Sequence, residues 1–169
     1  MRNTKTLLLL GSALLFAASS TMANNRDYQF YDFTPGQLYA GGGLSYNSLT
    51  WSGYDNALGI QGFAGWDFFR YKEMTVAGEV GYFSAGKFDS NNFGDRSFSG
   101  PYVNAVAKFP LNETVWVQGR VGHSSISGVG SSVIGGGFGF KLWDSMSLRA
   151  EAVSYSQINS LRAELVFDF

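Results

Sequence analysis

The chain has no cysteine, one histidine and three prolines among 169 residues, and only 15% of it is charged. Small exported domains commonly supplement a thin core with disulfides, and a chain without cysteine has none to use. One histidine and no thiol leave little from which to build a metal site, so we expect no metal and no cofactor. Beyond the first 23 residues nothing approaches the roughly 20 consecutive apolar residues of a membrane-crossing helix, so any crossing of a bilayer has to be made by strands. There is also no basic stripe of the kind that grips nucleic acid, which excludes that class of partner.

What the chain does have begins at its N-terminus. A basic start (Arg2, Lys5), an apolar run from Leu7 to Ala18 and a small-residue exit at Thr21-Met22-Ala23 form the three-part pattern of a secretory signal peptide. We expect cleavage after Ala23, with residues 1–23 removed. Taking Arg2 and Lys5 from the 12 basic residues leaves 10 against 13 acidic ones, a mature net charge of −3. Residues 24–36, with Tyr28, Phe30, Tyr31 and Phe33 ahead of Pro35-Gly36, are expected to form a periplasmic segment before a barrel spanning 37–169.

The 22 glycines and 17% aromatic residues suit a barrel that needs small residues inside and large ones against lipid. The last nine residues show the pattern most clearly. Leu161, Ala163, Leu165, Phe167 and Phe169 share one face and Arg162, Glu164, Val166 and Asp168 the other, a period of two. Similar alternation predicts strands over Gln37–Tyr46, Ala57–Phe68, Met74–Phe83, Tyr102–Phe109, Thr114–Ser124, Ser132–Leu142 and Met146–Tyr155. Short connections at Phe69–Lys72, Pro110–Glu113 and Trp143–Ser145 are expected on the periplasmic side. Longer ones at Asn47–Asn56, Ser84–Ser99, Ser125–Ser131 and Ser156–Ser160 are expected outside. This is the layout of an all-β, eight-stranded antiparallel up-and-down transmembrane β-barrel.

With charged positions facing inward, the lumen would hold Asp67, Glu79, Glu151, Glu164 and Asp168 against Lys108, Arg120, Lys141, Arg149 and Arg162. Eight strands leave an interior that side chains fill, so these charges must pair or cost several kcal/mol each. The balance predicts a closed network. Aromatics at the segment ends predict two interfacial belts: Trp66, Phe68, Phe109, Trp143, Phe167 and Phe169 at one end, Tyr46, Tyr82 and Tyr155 at the other. A soluble lipocalin-like barrel with a greasy interior is the competing arrangement.

The stretches Leu38-Tyr39-Ala40-Gly41-Gly42-Gly43-Leu44, Val80-Gly81-Tyr82-Phe83-Ser84-Ala85-Gly86, Val106-Ala107-Lys108-Phe109-Pro110-Leu111 and Ser147-Leu148-Arg149-Ala150-Glu151, with the terminal Phe169, resemble the small outer-membrane barrel family that includes the N-terminal domain of OmpA, the opacity proteins and OmpX. The resemblance implies an eight-stranded barrel in the outer membrane of a Gram-negative bacterium; we expect a monomer in contact with outer-membrane lipid and lipopolysaccharide. It implies assembly by the barrel-assembly machinery, which reads a C-terminal aromatic strand, here Phe167 and Phe169. It also implies an interior held by ion pairs, with Glu79, Arg120, Arg149, Glu151, Arg162 and Glu164 as the matching residues. The function expected is non-enzymatic, structural or surface-interacting; the alternatives are a narrow pore for small solutes and, ranked below it, a lipid A-modifying acyl hydrolase.

Two further motifs bear on chemistry. His123-Ser124-Ser125 resembles the His-x-Ser pair of outer-membrane lipid A deacylases, yet Ile126 follows and no Asp or Glu appears before Asp144 to orient the base. We therefore expect no catalytic residue, with His123 an interfacial side chain. Asp89, Asn91, Asn92, Gly94 and Asp95 supply oxygen ligands but lack the closing glutamate of a calcium loop, and ordinary turn chemistry accounts for them.

Overall fold

The computed structural model describes residues 36–50, 53–90 and 94–169; the expected signal peptide and almost all of the 24–36 segment lie outside them. Eight strands follow one another: β1 (Leu38–Leu49), β2 (Ala57–Tyr71), β3 (Met74–Phe88), β4 (Arg96–Pro110), β5 (Val115–Ile126), β6 (Val129–Trp143), β7 (Met146–Tyr155) and β8 (Ile158–Asp168). Each pairs antiparallel with its sequence neighbour, and β8 closes on β1, so no edge is left unpaired.

Register fixes the shape. The row of Cα partners Leu38, Trp66, Gly78, Ala105, Val121, Ile134, Ser154, Asn159 returns to β1 at Ser48, ten residues beyond its start. A stagger of that size over eight strands tilts them by about 40° to the barrel axis. Large apolar side chains point away from the axis: Leu38, Leu44, Leu58, Ile60, Val80, Val103, Val121, Ile134, Leu161 and Phe167 are all exposed. A continuous apolar girdle is not stable in water and requires lipid around it.

Allowing for the climb of the partner rows, each height on the barrel can be traced round all eight strands. At the height of Leu38 lie Trp66, Phe68, Phe109, Phe140, Met146 and Phe167. At the height of Tyr46 lie Ile60, Tyr82, Ser84, Pro101, His123, Ser125, Ser132, Ser154 and Asn159. The two levels are about 20 Å apart, and the ring side chains at each margin bring the apolar band close to the ~25 Å expected of such barrels. We call the level of Leu38, which carries the C-terminus, the near end and the other the far end.

Beyond the Tyr46 level the strands continue. β3 and β4 run five and six residues past their expected limits, so the Ser84–Ser99 loop shrinks to residues 89–95. The reason is a hydrophobic core inside the far end: Phe88 is fully buried and packs edge-on against Phe98, with Ala57, Ala85, Ile126 and Ile158 around them. A β-bulge between Ser84 and Lys87, with Gly86 at φ +84°, turns the strand to place Phe88 inward. The expected loops Ser125–Ser131 and Ser156–Ser160 contract to two-residue turns. Ser127 (φ 50°) and Gly128 (φ 80°) both adopt the left-handed backbone that a tight hairpin favours. Strict alternation of short and long connections therefore does not hold; only residues 50–56 and 89–95 are longer than the near-end turns. Backbone hydrogen bonds tie these far-end loops together, Thr50 N to Gln157 O and Asp55 N to Asp89 O, each 3.0 Å.

Inside, large rings lie on glycines of the neighbouring strand. Tyr39 is the Cα partner of Gly65 and Trp116 that of Gly139, and a Cβ on either glycine would collide with the facing ring. Such pairs fill a narrow lumen with few side chains.

Candidate functional site

The lumen at mid-height holds the chemistry. Alternation turns Glu79 of β3, Arg120 of β5, Arg149 and Glu151 of β7, and Arg162 and Glu164 of β8 inward, and all six are buried. Arg120 lies at the centre, Nη1 3.1 Å from Glu79 Oε2 and Nη2 2.6 Å from Glu151 Oε2. Arg149 Nη1 is 2.5 Å from Glu79 Oε1. Glu164 is more distant from its cations, 3.9 Å from Arg120 and Arg162 and 4.0 Å from Arg149. The six groups thus form one connected, charge-balanced layer joining β3, β5, β7 and β8, midway between the two aromatic and polar margins. Desolvation of so many charges is tolerable only because each faces an opposite charge.

Neutral side chains complete the layer. Tyr39 Oη donates to Glu79 Oε1 at 2.9 Å and Gln61 Nε2 donates to Glu164 Oε1 at 2.5 Å. Gln118 Nε2 donates to Glu151 Oε1, while its own Oε1 accepts from Trp116 Nε1 at 2.8 Å. With its amide oriented to satisfy both neighbours, Asn104 accepts from Arg120 Nη1 and donates to the Val103 carbonyl. These partners were missed by a search for charges, although the inward parity of Tyr39, Gln61 and Gln118 was visible.

Nearer the C-terminus, Lys108 Nζ lies 2.7 Å from Asp67 Oδ1 and 4.0 Å from the Tyr39 ring centroid, a second buried pair below the first. The other two expected inward charges sit at the rim. Lys141 pairs with exposed Asp144 at 3.1 Å, and Asp168 is half-buried.

Above the layer the Arg162 guanidinium lies 5.2 Å from the centroids of Phe83 and Tyr155 and 6.0 Å from Tyr102. Phe83 and Tyr155 stack on each other at 5.0 Å. Tyr155 is therefore 2% exposed and not part of the outer belt. It is an inward residue of β7, on the parity of Arg149 and Glu151, and the ring serves the cation rather than the interface. Of the remaining belt residues, Trp66, Phe68, Trp143, Phe167, Phe169, Tyr46 and Tyr82 are outward and exposed, and Phe109 is half-buried. Phe169, 79% exposed, is fixed by its backbone N donating to Leu38 O at 2.9 Å.

His123 and Ser125 face outward at the far margin. Their cross-strand partners are Val103, Ser132 and Gly130, with no carboxylate among them to orient an imidazole. Asp89 and Asp95 both face Lys87, at 3.3 and 2.7 Å, and that hydrogen bond holds the Asp95 carboxyl below its ordinary range.

No family model and no curated protein matches the chain. Solved structures do. A de novo designed transmembrane β-barrel is 16% identical, over 82% of this chain and 99% of that one, at a TM-score of 0.63. The attachment invasion locus protein Ail of Yersinia pestis is 16% identical, over 80% of this chain and all of that one, at 0.55. The same protein in complex with the heparin analogue sucrose octasulfate gives 18%, the same coverage and 0.56. The chain thus has the fold of the small outer-membrane β-barrels, and at these identities the likeness is one of fold alone. The exposed apolar girdle excludes the lipocalin-like alternative, whose polar face would be outside.

Proposed function

We propose that the protein is a non-enzymatic barrel of the Gram-negative outer membrane, with a structural or surface-interaction role and a lumen closed by its mid-height ion network. It is exported by residues 1–23, which are cleaved, and it stands as a monomer with both termini in the periplasm and the far end outside. Phe167 and Phe169, exposed at the near end, present the aromatic signal read during assembly. The observation that carries this reading is the connected, balanced layer of Glu79, Arg120, Arg149, Glu151, Arg162 and Glu164. Opposite charges drawn from four strands brace the barrel across its axis, whereas a conducting lumen would carry an excess of one sign and water. Among the described residues no carboxylate faces His123 across the strands, so the far margin offers no catalytic set.

The competing reading is a narrow pore for small solutes. In its favour, both terminal nitrogens of Arg162 are without a hydrogen-bond partner among the described residues, a polar spot above the network. Purified protein in planar bilayers separates the two. Closed bilayers, with openings only after Arg120→Ala or Glu151→Ala, support the braced lumen. Steady openings in the unaltered protein would overturn it.

Attachment through a polysulfated sugar, the chemistry of the ligand on Ail, needs clustered cations. The far end here offers Lys87 and Arg96 against Asp55, Asp89 and Asp95. A surface role therefore rests on neutral contacts to lipopolysaccharide or to partners.

A further inference from the structure

At the far margin the barrel offers hydrogen bonds and no charge. Every strand contributes a tier of outward residues at the height of Tyr46, and none of them among the described residues is Lys, Arg, Asp or Glu. On the β1–β4 side the two tyrosine hydroxyls are engaged within the protein: Asn56 Nδ2 donates to Tyr46 Oη at 2.6 Å, and Tyr82 Oη to Ser99 Oγ at 3.2 Å. On β7–β8, Ser154 Oγ donates to Asn159 Oδ1 at 3.0 Å. On β5–β6 the arrangement differs. His123 and Ser132 are direct cross-strand partners, Ser125 faces Gly130, and all four are exposed. Gly130 leaves a gap into which the imidazole leans, Cε1 and Nε2 lying 3.1 Å from where a Cβ would stand. The result is a shallow patch of one imidazole and two hydroxyls, turned toward the surroundings rather than toward the protein.

The charge pattern selects the partner. A phosphate would need a cation at this height, and the nearest ones are Lys87 and Arg96 on the β3–β4 hairpin, the former held between Asp89 and Asp95. A sugar presents hydroxyls that both donate and accept. Serine hydroxyls and a neutral imidazole do the same, so each can meet a sugar oxygen in either sense. We propose that the outward face of β5–β6 at this height, His123, Ser125 and Ser132 over Gly130, binds the saccharide of an outer-leaflet glycolipid through uncharged hydrogen bonds. This rests on the far end being the outer one, as the proposed function has it.

The mature protein refolded in phosphatidylcholine nanodiscs is titrated with a monoglucosyl diacylglycerol or with phosphatidylglycerol, reading the amide shifts of residues 123–132 by NMR. The glucosyl lipid should saturate the shifts at a concentration at least about tenfold lower than phosphatidylglycerol. The triple change His123→Ala, Ser125→Ala, Ser132→Ala should abolish that preference, while Ser84→Ala, in the same tier on β3, leaves it. Equal binding of the two lipids, a preference for phosphatidylglycerol, or a preference that survives the triple change would each overturn the proposal. Folding of the variants is checked by heat-modifiable migration. Orientation is tested separately: with no native cysteine, Ser127→Cys on whole cells should react with an impermeant maleimide. Failure there strikes the orientation, whereas the nanodisc titration judges the patch.

Discussion

At mid-height β3 turns Glu79 inward and Val80 outward; near its far end the same strand turns Phe88 inward and Lys87 outward. The neighbours follow suit. Between the levels of Leu38 and Tyr46 the outside is Leu, Ile, Val and Phe, and the inside sets paired charges among Phe63, Phe83, Tyr102, Val106 and Val166. Beyond Tyr46 the core is Phe88, Phe98, Ala85, Ile126 and Ile158, and the outside carries serines, Lys87 and Asp95. One sheet thus obeys two opposite rules, and what differs is the solvent outside. Lipid rewards an apolar outer face and leaves polar groups to pair within; water rewards the reverse.

The largest break is expected in the charged section. Glu79→Gln leaves the buried Arg120 and Arg149 facing a neutral amide. Removing one partner of a buried pair costs about 3–5 kcal/mol, and urea unfolding in lipid vesicles should show a loss of that order. A double change that removes Glu79 and Arg149 together should cost less than the single one. A larger loss for the pair would mean that the layer is not held by charge balance.

The far-end core answers to packing instead. Phe88→Ala opens a cavity beside Phe98 and should cost about 3 kcal/mol, with no dependence on salt or on lipid headgroup. If Phe88→Ala were neutral, the far end would not be a core of the soluble kind, and the two sections would differ in polarity alone.

This inversion also explains what the sequence disclosed. A period of two is insensitive to which face is greasy, so all eight strands were legible, and β7 was bounded at Met146 and Tyr155 from pattern alone. Where the rule reverses, a reader expecting apolar-out mistakes strand for loop. Phe88 and Phe98 fell within the Ser84–Ser99 loop for that reason, and a bulge at Gly86 hid the continuity by shifting the alternation. Tyr155 was assigned by composition, as a ring near a strand end, although its parity with Arg149 and Glu151 placed it inside. Of the lumen, parity turned ten charges inward, the six of the layer among them, and the selection of those six was what the family resemblance implied. Their ordering around Arg120, and the roles of Tyr39, Gln61 and Gln118, depend on which strands face each other across the axis, and that is set by the ten-residue stagger rather than by any local pattern.

The boundary between the sections can be located from outside. Val80 lies at the height of the network and Ser84 at the polar margin, four residues further along β3. Arginine in place of Val80 should cost about 2–3 kcal/mol, as at a bilayer midplane, and in place of Ser84 less than about 1 kcal/mol. Equal costs at the two positions would dissolve the boundary.

The smallest effect is expected where the contrast is purest, in an ion pair of the same chemistry placed in water. Lys87 contacts Asp95 at 2.7 Å and Asp89 at 3.3 Å, distances that match those around Arg120, yet all three side chains are largely exposed. In high dielectric the Coulomb attraction is weak, salt screens it, and ordering two long side chains offsets the remainder. Lys87→Ala should therefore leave the unfolding midpoint unmoved within error. Its trace should appear elsewhere. The Lys87 hydrogen bond depresses the Asp95 carboxyl, so any stabilisation from it is present above the ordinary carboxylate value of 3.8 and lost as pH falls through the depressed one. In Lys87→Ala the Asp95 side-chain carboxyl resonance should titrate closer to 3.8 than in the unaltered protein. An unchanged titration would show that the pair does not form in solution, whereas a large stability loss would place the hairpin in a medium less polar than water and move the boundary outward past Lys87.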